Sequence, residues 1–291
     1  MAKTPVGQRA VEARMWLNIF GRSLDFEGIT NALGVRPSDC HRAGDLDPSR
    51  RPLPRDLWSL GSPLPRTEPL DAHIKWLFRA LEPCFPVLRQ LTERAEVRSF
   101  CGILAEGDRC GFRVSSEALR FFVELTIPME ISLIFTGYSD LGRVSSQTEL
   151  PEEEPAGTPE PRHYDTESSV IFQILGGNLD LAGISKSLGL EPSATHRAGD
   201  VDQAGNPYGS DMWSLKVPSP KSDELDTHLR WLGTVLLPHA DFLRSLGLRA
   251  ELLIRCNFGT ESDTGGVGIS PEGLKVCTEL GIPLEFTTFL I

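Results

Sequence analysis

The sequence predicts an α+β protein made of two similar domains, each a mainly antiparallel sheet with helices packed on one face. Three observations support this prediction. The pentapeptide HRAGD occurs twice, at residues 41–45 and 196–200. The flanking sequence repeats at the same offset, so that residues 16–136 align with 171–291 without a gap. Each copy alternates between short apolar stretches typical of strands and stretches with helical periodicity.

The first half of each copy is predicted to contain two strands and two helices. "WLNIFG" and "IFQILG" are apolar runs that end in glycine, as strands often do. A short helix follows, capped by Asp25 or Asp180 and stopped by Gly34 or Gly189. A long loop with HRAGD leads to a strand around the tryptophan of "LWSL" or "MWSL", and "LDAHIKWL" or "LDTHLRWL" begins the second helix.

The second half of each copy is predicted to contain three strands and one helix. "AEVRSFCGIL" alternates as a strand does, and a turn separates it from the strand "GFRVS". The glycine-rich "FGTESDTGGVG" occupies the matching turn in the second copy, which favours a hairpin over a phosphate-binding loop. The helix "EALRFFVELT" and the strand "IPMEISLIF" complete the copy.

Composition sets the predicted boundaries between the parts of the chain. Residues 1–15 form an N-terminal extension, 16–136 the first repeat domain and 170–291 the second. Residues 137–169 are rich in Pro, Glu, Ser and Thr and nearly free of apolar periodicity. Such a segment buries too little apolar surface to offset its ordering entropy, so we expect a flexible acidic linker there.

The repeated motifs resemble a known bacterial family. They are a Gly-x-x-Pro after a short helix, a Gly-Asp pair in the next loop, a strand with Trp, a helix with His and Trp, and a closing "LxIPxE(I/F)" strand. Together they resemble the family called domain of unknown function 4279, over both copies. The resemblance implies an α+β domain and carries no established activity.

Charge and composition limit the classes of partner. The formal net charge of −11 disfavours binding to nucleic acid and favours a basic protein partner. No apolar run is long enough to cross a bilayer and no secretory signal is recognisable, so we expect a cytoplasmic protein that does not bind membranes. The six cysteines have no regular spacing and are expected to be buried, reduced thiols.

The HRAGD loops are the first candidate site, with His41, Arg42, Asp45, His196, Arg197 and Asp200 as its residues. The interpretation we favour is structural. Gly44 and Gly199 would supply a positive φ, the aspartates would accept backbone N–H bonds, and the arginines would pair with a carboxylate that pins the loop to the sheet.

A functional interpretation of the same loops remains open. Four histidines occupy matched places, His41 with His196 and His73 with His228. The two imidazoles of one copy, with Asp45 or Asp200, could bind a divalent transition metal if the loop folded over the second helix, but ligands 32 residues apart form no recognisable metal motif. Arg42 and Arg197 could instead bind a small anion. No GxSxG, GxxxxGK(S/T), HExxH or GxGxxG motif is present, so no cofactor and no catalytic residue are predicted.

The second candidate site is the sheet face that the helices leave uncovered. Strand alternation directs a set of charged residues to that face, namely Glu96, Arg98 and Glu130 in the first copy and Glu251, Arg255 and Glu285 in the second. We therefore expect a non-catalytic binding protein, of the kind an immunity protein exemplifies, that masks a basic partner. The alternative is a metal-assisted or small-ligand-binding enzyme that uses the HRAGD loop and the helix histidine.

Overall fold

A computed structural model describes residues 11–136, 166–220 and 224–291. The strands of this part of the chain are Val11–Gly21 (β1), Asp39–His41 (β2), Asp56–Gly61 (β3), Glu96–Glu106 (β4), Arg109–Val114 (β5), Met129–Thr136 (β6), Thr166–Gly176 (β7), Ala194–His196 (β8), Asp211–Lys216 (β9), Glu251–Thr260 (β10), Thr264–Ile269 (β11) and Leu284–Leu290 (β12). The α-helices are Phe26–Leu33 (α1), Leu70–Leu81 (α2), Phe85–Thr92 (α3), Ser116–Leu125 (α4), Leu181–Leu188 (α5), Leu225–Leu236 (α6), Ala240–Gly247 (α7) and Pro271–Leu280 (α8).

The strands form two six-stranded sheets of equivalent topology. The first has the order β11-β6-β4-β1-β3-β2 and the second the order β5-β12-β10-β7-β9-β8. Among the described strands, the pairs β4–β6 and β10–β12 are parallel and the other neighbours are antiparallel. The predicted α+β class, with mainly antiparallel sheets in two similar halves, is therefore confirmed.

The two copies exchange one strand each. β5 of the first copy pairs with β12 of the second, with Phe112 opposite Phe286. β11 of the second copy pairs with β6 of the first, with Val267 opposite Ile131. The hairpin predicted at "FGTESDTGGVG" is therefore wrong: β10 already has β7 on one side and β12 on the other, so β11 must pair elsewhere.

The exchange joins the apolar side chains of both copies into one core. In β1, Ala13, Met15, Leu17 and Ile19 are buried, and the residues between them are half-buried on the opposite face. Helix α2 packs on β1 and also touches the exchanged strand β5, while α4 packs against α8 of the other copy. Helices thus cover one face of each sheet, and the other face is left without a helix in the part of the chain described here.

Several boundaries differ from those predicted. β1 begins at Val11, within the predicted extension 1–15, because Val11 still pairs with Ala105 of β4. β7 begins at Thr166, within the predicted linker, because Thr166 pairs with Thr260 of β10. The rest of that predicted linker, 137–165, lies outside the described residues.

Two kinds of element were not predicted. β2 and β8 have three residues each, too few for an alternation pattern. Helices α3 and α7 follow the 3₁₀ turns Glu82–Cys84 and Leu237–His239, whose prolines resemble loop signals. Among the described residues, no helix has both the length and the apolar character needed to span a membrane.

The cysteines agree with the prediction in part. Cys101, Cys110, Cys256 and Cys277 are buried and free, whereas Cys84 is half-buried and Cys40, on the edge strand β2, is exposed. Burial raises the pKa of Cys101 and of Cys256 above the ordinary thiol range. These buried thiols are inert and part of the core.

Candidate functional site

The first HRAGD loop leaves the end of β2 and is held by Asp56, the first residue of β3. Arg42 Nη1 donates to Asp56 Oδ2 at 2.9 Å and to the carbonyl of Leu24 at 2.5 Å. Asp56 also accepts the backbone N–H of Ala43 at 2.8 Å and that of Leu24 at 2.7 Å. One carboxylate thus joins the loop, the segment before α1 and the sheet.

The second copy reproduces this arrangement around Asp211. Arg197 Nη1 donates to Asp211 Oδ2 at 2.9 Å and to the carbonyl of Leu179 at 2.5 Å. The backbone N–H groups of Ala198 and Leu179 both donate to Asp211 at 2.8 Å. The two loops, whose following sequences differ, therefore make the same interactions.

The glycine and aspartate of HRAGD have the structural roles predicted for them. Gly44 has a φ of 90° and Gly199 a φ of 89°, in the left-handed region that favours glycine. Asp45 Oδ2 accepts the backbone N–H of Arg42 at 2.7 Å, and Asp200 does the same for Arg197. Each loop is closed by a local turn.

The buried aspartates are the residues that sequence analysis missed. Asp56 is 2% exposed and Asp211 is 4% exposed. The backbone hydrogen bond from Ala43 lowers the pKa of Asp56 against the opposing effect of burial, and the bond from Ala198 does the same for Asp211. The sequence does contain a signal for them: both copies have an aspartate two residues before the tryptophan of this strand, in "RDLWSL" and "SDMWSL".

These interactions occupy the arginines that an anion would need. Besides its bonds to Asp56 and Leu24, the guanidinium of Arg42 lies 3.8 Å from the ring centroid of Phe26. Arg42 and Arg197 still expose about half of their side chains. Their bonded nitrogens, however, hold the loop in place.

The four metal candidates occupy two different environments. His41 and His196 are half-buried at the ends of β2 and β8, and His196 stacks on Tyr208 with ring centroids 3.6 Å apart. His73 and His228 are buried in α2 and α6, and neither ring makes a hydrogen bond. Within residues 11–136, 166–220 and 224–291, no three His, Cys, Asp or Glu side chains are grouped as a metal site would require.

The six charged residues of the predicted sheet face are engaged in ion pairs. Arg98 pairs with Glu96, and its Nη1 lies 3.9 Å from Glu130; Glu96 also pairs with Arg55. In the second sheet, Arg255 lies 2.9 Å from Glu285.

Glu251 completes the second set across the two copies. It lies 3.2 Å from Arg113, which the exchanged strand β5 brings from the first copy. On both sheets the acidic residues of the face are thus balanced by neighbouring arginines.

The first sheet carries an aromatic surface patch that was not predicted. Trp16 of β1 and Phe100 of β4 lie side by side with ring centroids 5.6 Å apart, and the guanidinium of Arg14 lies 5.6 Å from the Trp16 ring. Phe100 is 39% exposed, and Ile134 of β6 is 44% exposed. We call Arg14, Trp16, Phe100 and Ile134 the aromatic face.

The second sheet does not repeat this patch. The repeat offset places Ile171, Arg255 and Phe289 where the first copy has Trp16, Phe100 and Ile134. The aromatic face is therefore particular to one copy, whereas the HRAGD loop is common to both.

Comparison with known proteins gives a family and no activity. No curated protein matches the chain. The model of the family described as domain of unknown function (DUF4279) matches residues 11–136 and again residues 166–290. These two matches cover both halves of the fold, including the exchanged strands. The chain therefore belongs to the DUF4279 family, of which it contains two copies in tandem.

Proposed function

We propose that this protein is a non-catalytic recognition protein that binds another protein through the aromatic face of its first sheet. The observation that carries the proposal is the exposure of Phe100 and Ile134 on a sheet face without a helix. Trp, Phe and Arg side chains are enriched at the centres of protein interfaces, where their large contact area contributes most of the affinity.

The surrounding charges suit the rim of such an interface. Glu96, Arg98 and Glu130 border the aromatic face and pair with one another. Paired charges at a rim contribute orientation and exclusion of water more than affinity. These paired residues would therefore frame the contact without providing its main energy.

The proposal that the partner is basic draws on charge elsewhere in the chain. Residues 137–165 contain seven Asp or Glu and two Lys or Arg, a net charge of −5 out of −11 for the whole protein. Such a field accelerates encounter with a basic protein. An immunity-type role, in which this protein masks a basic toxin, would use that attraction in the cytoplasm.

The experiment compares capture of the partner by two matched variants. A tagged wild-type protein is isolated from its native cells with its partner, and Phe100→Asp is compared with Phe289→Asp, a change of the same kind on the second sheet at the position that corresponds to Ile134. We expect Phe100→Asp to lose the partner and Phe289→Asp to retain it. Equal retention by both variants would contradict a role for the aromatic face.

The metal-assisted or small-ligand-binding enzyme is tested on the same preparations. Stoichiometric transition metal in the wild-type protein that is lost in a His41→Ala, His196→Ala double variant would support the enzyme. Metal content unrelated to these histidines would support the recognition protein. A salt series on the captured complex then measures how much of the association depends on charge.

A further inference from the structure

The sheets of the described chain have two short and two long edges. β2 and β8, three residues each, close one edge of each sheet. The opposite edges are formed by the exchanged strands, β11 in the first sheet and β5 in the second, with six residues each. A long edge strand leaves a row of backbone N–H and C=O groups free to pair with another strand.

The two long edges differ in their protection. On the outer face β5 carries Arg109 and Arg113, and charged residues on an edge oppose the addition of a further strand. The matching positions of β11 are Thr264 and Gly268, and Gly266 lies between them. β11 contains no charged residue and no proline. Within the part of the chain that the structure describes, β11 is therefore the one of these two long edges that is open to pairing.

The glycines of β11 also expose side chains of the next strand. Gly268 lies opposite Glu130 of β6, and Thr264 lies opposite Ile134. A Cβ added at Gly268 would meet nothing within 4 Å. Because strands are about 4.8 Å apart, a long side chain on an added strand can cross the bare glycine and reach Glu130.

Glu130 is less fully paired than its counterpart. It lies 3.9 Å from Arg98, whereas Glu285 lies 2.9 Å from Arg255. Glu285 also has the exchanged Arg113 beside it in register, where Glu130 has Gly268. Glu130 thus lacks the arginine on the neighbouring edge strand that Glu285 has.

We propose that β11 binds an extended peptide segment of another protein, which adds as a seventh strand and directs a basic side chain to Glu130 and an apolar one towards Ile134. Main-chain hydrogen bonds to β11 would supply the affinity, and these two contacts the specificity. The inference rests on the proposed recognition function and defines the form of the partner. It extends the aromatic face to the edge of the same sheet.

The test uses a designed peptide and a substitution that transfers the protection of β5 to β11. The probe is a short capped peptide that alternates Val and Thr around one Lys, and the comparison peptide has Glu in place of Lys. We expect the Lys peptide to slow hydrogen exchange across Thr264–Ile269 in the whole protein and to bind roughly tenfold more tightly than the Glu peptide.

Gly268→Arg places in β11 the residue that β5 has at the matching position, Arg113. Gly268 has an ordinary φ and open space around it, so the variant should keep the fold, as circular dichroism would verify. We expect this variant to lose peptide binding. The matched change Arg113→Gly in β5 should leave binding at β11 intact.

Three outcomes would overturn the inference. The first is peptide binding that Gly268→Arg leaves unchanged. The second is a wild-type dimer that Gly268→Arg converts to a monomer. The third is slow hydrogen exchange of β11 in the free protein that becomes fast when residues 137–165 are deleted. The dimer would make a second copy the occupant, and the last result would make it the chain's own segment. If Phe100→Asp retains the native partner while Gly268→Arg abolishes peptide binding, the aromatic face fails and the edge inference stands.

Discussion

Asp56 and Asp211 each collect three hydrogen-bonded groups of the chain at one buried carboxylate. Two backbone N–H groups and an arginine converge on each of them. Removing a partner from such a buried network leaves the remaining donors unsatisfied, which costs more than the bond itself contributes. These two aspartates therefore anchor the HRAGD loops to the sheets.

The first prediction concerns Asp56→Asn combined with Asp211→Asn. The folded-state pKa of each carboxyl lies below its unfolded value, so its stabilisation is present above the unfolded pKa of about 3.9 and is lost as the pH falls through the folded pKa. The double variant should melt several degrees lower at neutral pH and lose part of this acid dependence. Identical melting curves for both proteins at all pH values would contradict the role of the carboxylates.

The second prediction concerns the loop glycines. Gly44→Ala and Gly199→Ala should each lower the free energy of unfolding by about 1 kcal/mol or more, because alanine is strained at positive φ. Gly177→Ala is the matched control, since Gly177 has an ordinary φ and open space around it. Denaturant titration measures all three, and a neutral result at both loop positions would refute the turn argument.

The third prediction concerns His73. Burial lowers the pKa of this histidine, and the nearby Pro65 and Glu68 offset only part of that effect. As the pH falls, this histidine therefore becomes protonated at a higher pH in the unfolded chain than in the folded protein. The free energy of unfolding should then decrease as the pH drops below about 6.5. His73→Leu should reduce this loss between about pH 6.5 and pH 5, measured by thermal unfolding, and an equal loss in both proteins would contradict the role of this histidine.

At the scale of elements, each copy ties the first turn of one helix to the cap of another. Asp71 in α2 accepts the backbone N–H of Ser115 at 2.7 Å and its hydroxyl at 2.6 Å. Ser115 Oγ in turn accepts the N–H of Ala118 in the first turn of α4. Asp226 and Ser270 make the same connection between α6 and α8.

The fourth prediction tests this connection by a double-mutant cycle. Ser115→Ala should lower the free energy of unfolding by about 1 kcal/mol through loss of the cap. Asp71→Ala should also lower the free energy of unfolding. The double variant should lose less than the sum of the two single losses, because both changes break the same hydrogen-bond network. Additive losses would mean that the helices are held independently.

At the scale of the whole molecule, neither copy completes its sheet alone. The first sheet lacks β11 and the second lacks β5 unless the other copy supplies it. The ring of Phe112 stacks on that of Phe286 at 4.7 Å, and Arg113 pairs with Glu251, so both packing and charge cross between the copies. The duplicated chain is thus one intertwined unit rather than two separate domains in series.

The fifth prediction concerns cleavage between residues 137 and 165. The two halves should co-elute under native conditions and separate only in denaturant, because each contributes a strand to the other's sheet. Isolated halves should then be unfolded or pair with themselves, and mixing them should restore the wild-type circular dichroism spectrum. Monomeric, stably folded isolated halves would contradict the strand exchange.

The sequence by itself determined what depends on neighbouring residues. The repeat, the helix caps at Asp25 and Asp180, the positive φ of Gly44 and Gly199 and the alternation of β4 all follow from local chemistry. Only the tertiary structure decided which strands pair, because β5 and β11 have the same local pattern whether they fold back or cross over. The partners of Asp56 and Arg113 were likewise not predictable from the sequence. Long-range packing, rather than distance along the chain, determines which groups come next to them.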